Sequence, residues 1–158
     1  MNDHFVVDTN VLVIANNLST SHAPPSCIQA SINFLISLTR SGHLIIDDNF
    51  EIISEYQKNV KAIGQPRVGD AFLKWVLQNR ANPARCTQVQ IRPNADREYE
   101  DFPDDPELAS FDRSDRKFVA VALAHPMHPP IANATDSDWS NATEALHRHG
   151  VHVLQLCP

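Results

Sequence analysis

The chain has 158 residues, of which 42% are hydrophobic, and a formal net charge of −6 at pH 7. This length is typical of one globular domain, which we place at residues 1–158, and the composition excludes a chain that is disordered throughout. No run approaches the roughly 18–20 apolar residues of a membrane-spanning helix, and the negative charge argues against a protein that coats nucleic acid by bulk charge.

Short apolar runs alternate along the chain with runs of helical periodicity. The predicted strands are His4 to Asp8, His43 to Asp47, Thr87 to Ile91, Pro130 to Thr135 and Val151 to Leu156. The predicted helices cover residues 11–18, 26–40, 49–63, 71–78, 112–125 and 139–149. Strands that alternate with helices favour an α/β fold with a parallel sheet.

Two helix starts are predicted from capping residues. Asp48 stands three residues before Glu51, which is the spacing of a capping box, and Asp138 precedes the last helix. Residues 93–110 carry three prolines and seven acidic residues. We expect an exposed, irregular loop there, because prolines interrupt regular structure and a run of charge favours solvent.

The cysteines indicate a reducing compartment. Cys27, Cys86 and Cys157 are an odd number and lack the paired spacing of a zinc site or a disulfide framework, so we expect three reduced thiols. The first strand follows the N-terminal residues directly, without a basic and apolar signal segment. A cytoplasmic protein is therefore expected.

Acidic side chains follow three of the predicted strands. Asp8 ends the first strand, Asp47 and Asp48 stand at the end of the second, and Asp136 and Asp138 follow the fourth. Open α/β sheets bind ligands at the carboxyl ends of their strands, so we expect these acids to gather at one sheet edge. Glu55 and Asp115, from two of the helices, are further candidates. Carboxylates bind hard divalent ions such as Mg²⁺ or Mn²⁺, and such ions promote phosphodiester hydrolysis by activating water and stabilising charge on phosphate oxygens.

Each of these acids also has a structural interpretation. Asp8 is either a metal ligand or the cap of the following helix. Asp115 falls in a first helical turn, where the helix dipole favours a carboxylate anyway. Of Asp136 and Asp138, one can face the cleft while the other caps a helix. Glu55 lies beside apolar residues, where a partly buried carboxylate needs a cation.

Four segments, taken in order, resemble the PIN-domain nucleases. They are Val-Val-Asp8-Thr-Asn, Ile-Ile-Ser-Glu55-Tyr, Asp112-Arg-Ser-Asp115-Arg-Lys-Phe-Val-Ala-Val-Ala and Asn-Ala-Thr-Asp136-Ser-Asp138-Trp. The resemblance covers nearly the whole chain and implies a three-layer α/β/α sandwich with a parallel sheet of about five strands. It also implies an endoribonuclease that depends on Mg²⁺ or Mn²⁺ and is often a homodimer.

The same resemblance implies roles for particular residues. Asp8, Glu55, Asp115 and Asp136 would form the catalytic metal site, Asp138 would be an auxiliary ligand, and Thr9 or Asn10 would support them. RNA is the expected substrate. A toxin, a defence nuclease and a housekeeping ribonuclease remain alternative roles, and the first of these implies a cognate antitoxin protein as partner. The acidic segment 93–110 departs from the compact toxin-like members.

Two other functions compete with this one. A non-catalytic domain of the same fold would bind RNA or a partner protein. A phospho-acceptor regulator would need one acidic pocket and a lysine placed after a late strand, and the sequence does not show that lysine.

Three further groups of residues are expected to be mainly structural or remain open. The histidines near the C-terminus match no zinc-site spacing; they are His125, His128, His147, His149 and His152. Basic residues in the middle of the chain either bind the RNA backbone or form solvated helix faces; they are Lys58, Lys61, Arg67, Lys74, Arg80 and Arg85. The tryptophans Trp75 and Trp139 are expected in the core rather than stacked on bases.

Overall fold

The structure is a computed structural model that describes residues 3–18, 22–64 and 66–157. Its strands are β1 (His4–Val7), β2 (His43–Asp47), β3 (Cys86–Val89), β4 (Pro93–Asn94), β5 (Glu98–Tyr99), β6 (Ile131–Asn133) and β7 (Val153–Gln155). Five of them form one parallel sheet in the order β3-β2-β1-β6-β7, and β4 and β5 form a separate antiparallel pair.

Helices connect the strands of this sheet and cover it. They are α1 (Thr9–Ala15), α2 (Pro25–Ser41), α3 (Glu51–Asn59), α4 (Val68–Asn79), α5 (Arg116–Ala124), α6 (Ser137–Asn141) and α7 (Thr143–Arg148). Every residue of β2 is buried, as expected of a parallel strand with helices on both faces. The predicted α/β fold, a three-layer sandwich around a five-stranded parallel sheet, is confirmed. None of the helices in the described ranges has the length and apolar character needed to cross a membrane.

The strand order places the first strand at the centre of the sheet. In β1, His4 and Phe5 pair with β2, whereas Val6 and Val7 pair with β6. The chain therefore builds outward from β1 on one side through β2 and β3, and then on the other side through β6 and β7. The crevice between β1 and β6 is a topological switch point, the usual position of a ligand site in such sheets.

The start of α3 differs from the prediction. The side chain that caps it is Asp47, which accepts hydrogen bonds from the backbone N–H groups of Asn49, Glu51 and Ile52 at 2.8–2.9 Å. The expected cap, Asp48, is exposed, so the capping-box prediction is wrong. The buried carboxylate at the end of β2 lies closer to the free N–H groups of the helix, because the chain turns sharply before Glu51.

Residues 93–110 are more ordered than predicted. They contain the β4–β5 pair and a short 3₁₀ turn, Pro106–Leu108. Tyr99, Phe102 and Leu108 are buried, while none of the seven acidic residues is buried. The guanidinium group of Arg116 anchors the segment from within, because it donates hydrogen bonds to the carbonyl groups of Leu108, Ala109 and Phe111 at 2.9–3.3 Å.

The prediction of three reduced thiols is wrong in the structure. Cys27, near the start of α2, forms a disulfide with Cys157, and their Cα atoms lie 4.9 Å apart. Only Cys86 is a free cysteine among the described residues, and it is buried. A separation of 130 residues hid this pair, since only the packing of β7 beside the start of α2 brings the two cysteines together.

Candidate metal centre

Asp8 stands at the carboxyl end of β1 and caps the following helix, which is one of the two roles considered for it. Its Oδ1 caps α1 by accepting a hydrogen bond from the backbone N–H of Asn10 at 2.9 Å. Its Oδ2 accepts a hydrogen bond from the indole Nε1 of Trp139 at 2.6 Å. Each carboxylate oxygen can accept more than one hydrogen bond or metal bond, so these contacts fix the carboxylate without exhausting its capacity as a ligand.

Three of the predicted acids meet beside the switch point. A carboxylate oxygen from each of Asp8, Asp115 and Asp136 lies within 4.8 Å of the other two. Asp115 comes from the 3₁₀ turn Arg113–Asp115, which Asp112 caps through the backbone N–H of Ser114 at 2.9 Å. Asp136 comes from the turn after β6. We call these three residues the aspartate triad.

Burial and mutual repulsion disfavour negative charge on two members of the triad. Burial raises the pKa of Asp8 to about 7, and the negative charges of Glu55 and Asp136 add to the effect. Burial likewise raises the pKa of Asp115 to about 8, with further contributions from Asp8 and Asp136. Carboxylates held this close cannot all ionise without a compensating cation. The triad therefore either shares protons or binds a positive ion.

Asp138 lies at the edge of this centre. A second group of carboxylate oxygens within 4.8 Å of one another belongs to Asp112, Asp115 and Asp138. Asp138 is exposed, and the charge of Asp136 raises its pKa. It does not cap the last helix as predicted. Asp136 caps α6 instead, by accepting a hydrogen bond from the backbone N–H of Asp138 at 2.9 Å.

Glu55 is close to the triad but is engaged by other partners. Its Oε1 lies 2.7 Å from the ammonium nitrogen of Lys117 in α5, and its Oε2 accepts a hydrogen bond from the hydroxyl group of Thr9. It does not belong to either group of acids whose oxygens lie within 4.8 Å of one another. The structure thus brings together three of the four predicted catalytic acids and pairs the fourth with a lysine.

Of the residues that hold the centre together, Asn10 was expected from the sequence to support the acids, whereas Asn133 and Trp139 were not singled out for this role. The side-chain nitrogen of Asn10 donates to the side-chain oxygen of Asn133 at 2.7 Å, and the oxygen of Asn10 accepts from the backbone N–H of Ala134 at 2.8 Å. This latch joins the ends of β1 and β6. Trp139 is fully buried as expected, yet its N–H donates to Asp8. An asparagine after each of two apolar runs was the only sequence signal for the latch.

The basic residues of the middle segment have partly structural contacts. Arg67 donates to the carbonyl groups of Asn16 and Asn17 at 3.1 and 3.2 Å. Arg85 donates to the carbonyl groups at the end of α2, and the guanidinium group of Arg80 lies 4.6 Å from the ring centre of Phe50. These contacts give each of the three arginines a structural role, and RNA binding by the basic residues stays a prediction.

The histidines do not form a metal centre in the structure. Among the described residues, the groups of three or more metal-ligating side chains within 4.8 Å contain aspartates only. His149 instead lies 2.9 Å from Asp105, and His147 packs edge-on against His152.

A comparison of the chain with protein-family models, with curated proteins and with solved structures finds no match.

Proposed function

We propose that this chain is a nuclease that depends on Mg²⁺ or Mn²⁺ and hydrolyses phosphodiester bonds. The observation that carries the proposal is the aspartate triad, in which β1, the turn before α5 and the turn after β6 each supply one carboxylate at a topological switch point. The resemblance of the sequence to PIN-domain nucleases supports the same function and is the sole reason to favour RNA over DNA.

The triad fits a hard divalent ion. Its ligand atoms are carboxylate oxygens, which Mg²⁺ and Mn²⁺ prefer. Two of its carboxylates are buried with raised pKa values, and a divalent ion would supply the charge that their burial leaves uncompensated. Asp8, Asp115 and Asp136 would hold the ion, which when bound supplies activation of water and stabilisation of charge on phosphate oxygens.

The chain's own residues fix the ligands in place. The backbone N–H of Asn10 and the indole N–H of Trp139 donate to the two oxygens of Asp8 and so orient its carboxylate. The hydroxyl group of Tyr56, in α3, donates a hydrogen bond to the carbonyl of Val7 at 2.6 Å and so holds the end of β1 in place. Rigid ligands of this kind reduce the reorganisation that the reaction requires.

The test is cleavage of a fluorescently labelled RNA, and of DNA of the same sequence, with Mn²⁺, with Mg²⁺ or with EDTA. We expect cleavage that depends on the metal and that Asp115→Asn lowers about 100-fold or more, because even residues around metal ligands are worth roughly 10- to 100-fold. Asp115 is a better target than Asp8, whose replacement by asparagine would set an amide NH₂ against either Trp139 or the cap of α1. Asp48→Asn is the matched control, since this exposed acid also follows a strand of the sheet.

Two outcomes would contradict the proposal. One is cleavage that persists in EDTA, and the other is an Asp115→Asn protein as active as the wild type. RNA binding without cleavage in either metal would support the non-catalytic alternative. The homodimer and the antitoxin-like partner implied by the resemblance stay predictions, and light scattering of the purified chain measures the first of them.

A further inference from the structure

The acidic residues near the centre differ in whether a basic side chain pairs with them. Within 4.0 Å, no Lys, Arg or His nitrogen of the described residues pairs with Asp8, Asp115 or Asp136, whereas Glu55 pairs with Lys117 at 2.7 Å. This pair is well shielded, because the side chains of Lys117 and Glu55 are only 11% and 21% exposed.

Lys117 and Glu55 each have a second hydrogen-bond partner besides one another. Lys117 also donates a hydrogen bond to the carbonyl of Ser114, in the turn that carries Asp115. The other oxygen of Glu55 accepts a hydrogen bond from Thr9, the residue that follows Asp8. Both oxygens of Glu55 are therefore engaged, and its partners Thr9 and Lys117 lie one residue after Asp8 and two residues after Asp115.

We propose that Lys117 acts as a built-in cation for Glu55 and thereby restricts the centre to one divalent ion, held by the triad. The inference rests on the proposed function. A carboxylate that is already neutralised by an ammonium group gains little from a second ion, and the ion would be repelled by that ammonium group at short range. Glu55 is then a positioning residue that ties α3 to Thr9 and α5. The sequence predicted Glu55 as a metal ligand, and under this inference it is not one.

The experiment counts bound Mn²⁺ by electron paramagnetic resonance of the free ion, at pH 7.5, on the full chain and its variants. We expect one Mn²⁺ per wild-type chain, because the second group of acids shares Asp115 with the triad and its other members, Asp112 and Asp138, are exposed. Glu55→Gln should still bind one ion, with a weaker Kd, because it leaves the ammonium group of Lys117 uncompensated near the ion. Lys117→Met should bind a second ion, because it frees an oxygen of Glu55.

Matched controls isolate the charge of Lys117. Lys117→Arg keeps the charge and should bind one ion. The double variant Glu55→Gln, Lys117→Met removes both charges and should also bind one. If Lys117→Met fails to fold, as judged by thermal unfolding, the comparison of wild type with Glu55→Gln still decides whether Glu55 is a metal ligand.

The results distinguish a failure of this inference from a failure of the proposed function. Two ions in the wild type and one in Glu55→Gln would make Glu55 a ligand and overturn this inference while leaving the proposed function intact. One ion in Lys117→Met would show that the lysine does not exclude a second ion. No Mn²⁺ binding by the wild type, or unchanged binding by Asp115→Asn, would overturn the metal centre and this inference with it.

Discussion

The metal-free protein should become more stable when Asp115 is replaced by asparagine at alkaline pH. In the folded chain the pKa of Asp115 is raised from 3.8 to about 8. The folded state therefore holds a proton that the unfolded state has released between these two pH values, and stability falls as pH rises through that window. Asp115→Asn removes this loss and leaves an amide that can donate to Asp136.

The size of the effect follows from the pKa shift. A rise of about four pKa units corresponds to at most roughly 6 kcal/mol at pH 9, at 1.36 kcal/mol per unit. Asp8 and Asp136 share the same repulsion, and relaxation of the site lowers it, so we expect about 2–3 kcal/mol at pH 8. For a chain of this size that is a rise in Tm of about 5–10 °C.

The assay is thermal unfolding in EDTA at several pH values from 5 to 8.5. The advantage of Asp115→Asn should shrink steadily as the pH falls from 8 towards 5, because the loss builds up between pH 3.8 and about 8, and Asp48→Asn should follow the wild type throughout. Added Mn²⁺ should raise the Tm of the wild type, because a ligand that binds only the folded state stabilises it, and should not raise that of Asp115→Asn. A variant that is less stable than the wild type at pH 8 would refute the reasoning.

Three other substitutions test a contact to Asp8, the packing of α4 on α1, and the disulfide. Trp139→Phe removes the donor to Asp8 and should cost about 2–3 kcal/mol in urea unfolding, so a cost below experimental error would mean that the indole bond contributes nothing. Gly69→Ala would place a Cβ 2.1 Å from the carbonyl oxygen of Leu12, and we expect a loss of about 1–3 kcal/mol, which an unchanged Tm would contradict. Cys157→Ser should lower the free energy of unfolding by about 2–4 kcal/mol. Dithiothreitol should lower the Tm of the wild type to that of the variant and leave the Tm of the variant unchanged.

The sequence was most informative where the signal is local. The five strands and the sites of the main helices follow from the period of their apolar residues, so the sheet was predicted. Caps were less predictable, since two acids stand at each candidate position. Asp47 and Asp48 both precede α3, and Asp136 and Asp138 both stand near α6. Which member of each pair reaches the free N–H groups depends on the turn, which the apolar pattern does not specify.

By itself, the sequence determined the parallel α/β fold and the delivery of Asp8 and Asp136 to one edge of the sheet, because the carboxyl ends of parallel strands necessarily lie together. The resemblance to PIN-domain nucleases implied that Asp115 joins them, and only the tertiary structure decided that Lys117 pairs with Glu55 and that Cys27 bonds to Cys157. The Glu55–Lys117 pair joins residues 62 positions apart in the chain, and the disulfide joins residues 130 positions apart. They depend on how α5, α3 and the last strand pack against the sheet, which no local pattern encodes.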